Sequence, residues 1–226
     1  MAEYCDVLKS HTPDDTLALE VIRFATGETL AGQLNGDALA TSFSFSSELT
    51  GDAGQAVAPG EAYQEYMAIT DDFGAIQVEV PAAWSDVDGR AWADGGEVIG
   101  ASIYAAANMD DFLNTWSQPG VMFNASDDLA QLGGYVQLLD FKRESFVEQC
   151  KLDNRYDYQD SAYRGKFDYF TNCGGPGGAD YLVLSAVPIA DPEAYLILVE
   201  IQIVSEADLE AADRILATFQ VIGSLP

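Results

Sequence analysis

The run Tyr181-Leu-Val-Leu-Ser-Ala-Val187, a turn through Asp191-Pro192, and the run Ala194-Tyr-Leu-Ile-Leu-Val-Glu-Ile-Gln-Ile-Val204 decide how this chain folds. In the second run Tyr195, Ile197, Val199, Ile201 and Ile203 occupy alternate positions, the period at which a strand returns side chains to one face. The two runs therefore read as an antiparallel hairpin with one fully apolar face. On the reverse face Leu196 and Leu198 are apolar, but Glu200 and Gln202 are not, which predicts cover along only half its length. Ser205-Glu-Ala-Asp208 follows as a capping box, opening a last helix with Leu209, Ala212 and Leu216 turned inward. Phe219 to Ile222 reads as a short closing strand.

Upstream of this hairpin the same periods recur. Tyr156 and Tyr158 share one face of a strand, Phe167 and Tyr169 share one face of its partner, and a turn near Asp160 to Ala162 joins them. Residues 127 to 148 read as helical. Asn108-Met-Asp-Asp111 is an N-cap pattern for a short helix expected to bury Phe112, Leu113 and Trp116, with Gly120 to Phe123 following as strand. Tyr66 to Thr70 and Ala75 to Val80 flank the turn Asp71-Asp-Phe-Gly74, and Glu97 to Ala105 supplies another strand. Residues 65–226 thus form an α+β domain with an antiparallel sheet. Residues 36–64 are rich in Gly, Ala, Ser, Asp and Glu, carry no cation, and read as a linker. Residues 1–35 read as a helix bearing Tyr4, Val7 and Leu8, then strands over 16–24 and 28–34, too little to be stable alone.

The chain's 226 residues, 48% of them apolar, are enough for one full domain and part of another. Ten Lys and Arg against 37 Asp and Glu leave a formal charge of −27, which repels phosphate backbones and anionic lipid and excludes nucleic acid as a partner. Six of the ten cations, Lys142, Arg143, Lys151, Arg155, Arg164 and Lys166, crowd into one stretch. No apolar run is long enough for a membrane span, and a secretion signal is expected upstream of Met1.

Few residues offer chemistry. Acyl transfer by Ser or Cys needs a base, and His11 is the one histidine; Cys5, six positions away, falls on another side of the helix. No catalytic residue, metal ligand or cofactor is assigned. Asp86, Asp88, Asp94 and Glu97 have the spacing of a calcium loop, but Arg90 and Ala91 stand where an oxygen ligand and a turn glycine belong. Gly174-Gly-Pro-Gly-Gly178 lacks the lysine of a phosphate loop and reads as a turn. Cys150 and Cys173 enclose residues 151–172, a spacing that suits a structural bridge in an oxidising compartment or two buried reduced thiols. Arg155, Tyr158, Tyr163, Arg164 and Lys166 make the one aromatic and cationic hairpin, read as a partner-binding surface or as sheet packing with peripheral ion pairs.

Several stretches resemble known families. Leu8 to Leu34, with Pro13-Asp-Asp-Thr16 ahead of a Leu-Ala-Leu-Glu-Val-Ile-Arg strand and Gly27-Glu-Thr-Leu30 before the last one, resembles the end of a bacterial PDZ domain, with Asp14 where that family has Gly. Phe73 to Trp84 and the Leu209 to Val221 ending resemble a PsbP-like α/β/α sandwich. Arg155 to Tyr169 with Asn172-Cys-Gly-Gly175 is similar to a module that follows the PDZ domain in secreted trypsin-like (HtrA-type) serine proteases. The resemblance supports the Cys150–Cys173 bridge and implies a non-catalytic accessory module, extracytoplasmic, binding a protein or peptide partner. The PDZ piece lacks the carboxylate-binding loop. The alternative is a surface-assembly protein that self-associates through the incomplete PDZ-like edge.

Overall fold

The computed structural model describes residues 62–226 and three strands nearer the N-terminus. Those strands, β1 (Ala18–Ile22), β2 (Thr29–Gln33) and β3 (Ala40–Phe43), pair antiparallel in that order. The β1–β2 hairpin falls where alternation placed it. β3 lies inside 36–64, so that stretch is not linker throughout. The expected helix over Tyr4 to Leu8, with Cys5 and His11, lies outside the described residues.

The main sheet has the order β10 (Lys151–Gln159), β11 (Tyr163–Cys173), β12 (Ala179–Pro188), β13 (Leu196–Ile203), β9 (Gly120–Ser126), β8 (Glu97–Ala106) and β6 (Asp86–Asp88), with β7 (Trp92–Asp94) also pairing β8. A small sheet runs β14 (Gln220–Val221), β5 (Ile76–Pro81) and β4 (Tyr66–Thr70). The pairings are antiparallel, and four helices join them among the described residues: α1 (Met109–Asn114), α2 (Asp127–Leu132), α3 (Tyr135–Phe146) and α4 (Glu206–Thr218). The class is α+β, as the sequence indicates.

Alternation gives the main sheet two faces. One carries Phe123, Phe167, Leu184, Ile197 and Val199, and is covered by Ala211, Ile215 and Leu216 of α4 and by Ile76, Val78 and Val80 of β5. Burial of such side chains stabilises by about 1.5–3 kcal/mol each, before the entropy of ordering them is subtracted. The α4 start is held by Asp208, whose Oδ2 accepts from the Ser205 amide at 2.8 Å and the Ser205 hydroxyl at 2.9 Å. Its Oδ1 accepts from the Tyr63 hydroxyl at 2.7 Å, and Trp84 Nε1 donates to that same hydroxyl at 3.1 Å. This buried capping carboxylate is fully satisfied.

The other face carries Phe170, Tyr181, Val183 and Leu198 and packs against Leu139 and Phe146 of α3. Here the structure corrects three expectations. Residues 127–148 form two helices, because Gly133 and Gly134 interrupt them; the Gly134 amide donates to Gln137 Oε1 at 3.1 Å and starts α3. Leu113 points outward and is 54% exposed, while Phe112 is buried, since a six-residue helix turns only one narrow stripe inward. Glu200 and Gln202 are not left open. Both are buried, and Gln202 Nε2 donates to the carbonyls of Thr115 and Gln118 at 3.0 and 2.8 Å.

Candidate functional site: the furrow beneath α3

The structure separates the five residues of the aromatic and cationic hairpin. Tyr158 and Tyr163 are buried in the α4-side core, where the Tyr158 hydroxyl donates to the Leu216 carbonyl at 3.1 Å and the Tyr163 hydroxyl accepts from the Val221 amide at 3.1 Å. Arg155 turns to the α3 side and pairs with Asp168 and Asp140. Lys166 pairs with Asp157 on the neighbouring strand, and Arg164 is exposed. They do not converge on one surface. Asp88, from the calcium-like spacing, is engaged by Arg90, which holds its carboxyl below the usual range.

Residues brought together by the tertiary fold form a furrow on the α3 side instead. A cleft of about 610 Å³ opens between α3 and the β7–β8 turn, with Trp92, Ile99, Leu138, Phe141 and Leu198 in its walls. A smaller chamber of about 270 Å³ adjoins it, with Trp116, Phe146, Tyr181 and Glu200 in its walls. A third hollow of about 490 Å³ lies over Tyr104 and Ser102. Lys142 borders the first two, Trp92 the first and third, and Met122 the second and third.

Charge in the chamber is concentrated at one pair. Glu200 points from β13 toward α3, and Lys142 Nζ lies 2.6 Å from its Oε1. That oxygen finds no aligned hydrogen-bond donor; the 2.6 Å approach identifies the contact as an ion pair. Burial pushes the Glu200 carboxyl above the ordinary glutamate value, and the Lys142 ammonium opposes that shift. Burial also raises the Tyr181 hydroxyl, with the nearby Glu200 charge adding to it.

The disulfide corner braces one wall of the chamber. Cys150 and Cys173 are bonded, and both belong to the packed cluster around Phe146 and Tyr181. Trp116 Nε1 donates to Gln149 Oε1 at 3.1 Å, and the Gly174 amide donates to the Gln149 carbonyl at 3.0 Å. Gly174 has φ +79°, and a Cβ there would lie 2.6 Å from Trp116 Cδ1, so glycine is required on both counts. Gly174, the first turn glycine after Cys173, thus seats an indole.

Sequence reasoning named none of Lys142, Glu200, Trp116 or Phe141 as a site. Its one pointer was the break in apolar alternation at Glu200 and Gln202, read as open surface. The lining combines apolar walls and aromatic edges with the buried Lys142–Glu200 pair, elements that can recognise a ligand. No described helix is long and apolar enough to cross a membrane. No protein-family model and no curated protein matches this sequence.

Proposed function

We propose that the chain is a non-catalytic interaction module of a secreted trypsin-like serine protease whose catalytic domain lies upstream. On this reading residues 65–226 are a PsbP-like sandwich and the β1–β2 hairpin is the end of a PDZ domain, as the resemblance implies. The Cys150–Cys173 bond is compatible with an extracytoplasmic site of action. The observation that carries the reading is the cleft under α3, an open apolar surface with exposed Phe141 at its rim. Its partner is a protein or peptide segment that joins an apolar run to positive charge, complementary to a chain of −27.

Titrating the isotope-labelled protein with peptides that flank an aromatic or aliphatic run with lysines tests this. Shifts should gather at Trp92, Leu138 and Phe141 and vanish in Phe141→Ser, while casein zymography should show no clearing. Casein cleavage, or shifts confined to the α4 side, would overturn the reading. A second reading rests on β1 standing at one end of the β1-β2-β3 order. It requires a dimer in light scattering that disappears when residues 1–35 are removed.

A further inference from the structure

We propose that the chamber walled by Glu200, Phe146, Trp116 and Tyr181 is a binding site for an organic cation, and that Lys142 fills it as an internal occupant until an alkylammonium ligand takes its place. This goes beyond the interaction reading and stands whether or not the chain serves a protease.

The carboxylate comes first. Glu200 is buried in the middle of the sheet, where an ionised group persists only with a counter-charge beside it. Lys142 supplies that charge now, at 2.6 Å. Exchanging one ammonium for another keeps Glu200 compensated throughout, so the swap avoids exposing a bare buried anion.

The walls favour such a guest. Trp116 stands edge-on to Tyr181 at 5.6 Å and to Phe146 at 6.4 Å between ring centroids, and Phe146 and Tyr181 are 4.8 Å apart. The Lys142 ammonium already lies 5.9 Å from the Phe146 centroid, inside the distance at which a cation is attracted by a ring face. A cation set between an aromatic face and a carboxylate combines two attractions on which recognition of alkyl ammonium groups draws. The rings are set in place beforehand: Gln149 and Gly174 seat Trp116, and Gln202 anchors the Thr115 and Gln118 carbonyls on either side of it. At about 270 Å³ the chamber suits an onium head rather than a drug-sized molecule.

Lys142 is placed to leave. Its side chain is 24% exposed and borders both the chamber and the apolar cleft, so a turn of its flexible stem moves the ammonium out while buried Leu139 keeps α3 seated. The acidic surface raises the local concentration of cations around the opening.

The test titrates choline, and separately its neutral carbon isostere, into the wild-type protein and into Lys142→Ala and Glu200→Gln, following the Trp116 indole resonance. Thermal unfolding confirms that each variant is folded. Choline should shift the resonance saturably in wild type, bind about tenfold tighter in Lys142→Ala because the internal competitor is gone, and lose about tenfold in Glu200→Gln. The isostere should leave the resonance in place. An unmoved indole in both wild type and Lys142→Ala would refute the site. Equal binding of choline and the isostere, or binding undiminished in Glu200→Gln, would refute its chemistry. Binding confined to Lys142→Ala would show Lys142 to be a fixed structural partner and refute the exchange. None of these results depends on peptide binding at Phe141, so the cleft and the chamber fail separately.

Discussion

Arg155 on β10 lies directly opposite Asp168 on β11 and clasps it with two donors, Nε to Oδ1 at 2.5 Å and Nη2 to Oδ2 at 2.8 Å. The third guanidinium nitrogen reaches Asp140 of α3 at 2.7 Å, and Arg143 of α3 approaches Asp168 at 3.2 and 3.3 Å. One buried carboxylate therefore joins the edge hairpin to the helix that roofs the furrow.

Asp168→Ala should destabilise the domain by about 3 kcal/mol, because it leaves two guanidinium groups facing an emptied, buried site. Replacing Arg155 and Asp168 together with apolar residues of similar size should cost less than the sum of the single changes. Denaturant unfolding of the four proteins in this cycle is the measurement. Additive losses would show that the pair carries no coupling.

Stability should depend on Glu200 with a definite sign. Its carboxyl is raised by burial above the ordinary glutamate value of 4.5, so the folded state holds the proton more tightly than the unfolded chain. Stability from this group is greatest below the unfolded value and falls as pH climbs through the folded one. The facing hydroxyls of Tyr181 and Tyr104, both raised by burial, stay protonated over that range. Glu200→Gln, which removes the titration, should gain relative to wild type as pH rises above 4.5, read as melting temperature against pH. Parallel curves would contradict the assignment.

Tyr63 ties the segment ahead of β4 to the start of α4. Its hydroxyl caps the Asp208 side chain and receives the Trp84 indole, and its ring stands edge-on to Trp84 at 6.0 Å. A chain beginning at Ala62 should unfold in one cooperative transition without the N-terminal strands. One beginning at Glu65, the boundary drawn from composition, should be weaker by about 1–3 kcal/mol, since Asp208 and Trp84 each lose a buried partner. Equal melting of the two would make Tyr63 dispensable.

Much of the architecture was legible because period and punctuation are local. Ile197, Val199, Ile201 and Ile203 are all buried on one face, the Ser205–Asp208 box starts α4, and Tyr156 stacks on Phe167 across the hairpin at 5.0 Å. The two-residue glycine break at 133–134 was readable in principle. β3 was hidden by its composition, because Ala40-Thr-Ser-Phe43 carries weak strand signals and gains its structure by pairing with β2.

What the chain's order of residues determined by itself was therefore which side chains share a strand face or a helix stripe, since those repeat distances follow from backbone geometry alone. What only the tertiary structure decided was who meets whom across that order: Lys142 with Glu200, Arg155 with both Asp168 and Asp140, Trp116 with Gly174. A polar residue in an apolar strand announces that a partner is needed, but not which one. The partner's identity depends on how α3 and the Cys150–Cys173 corner are laid over the sheet, and that placement is set by packing among residues far apart in the chain.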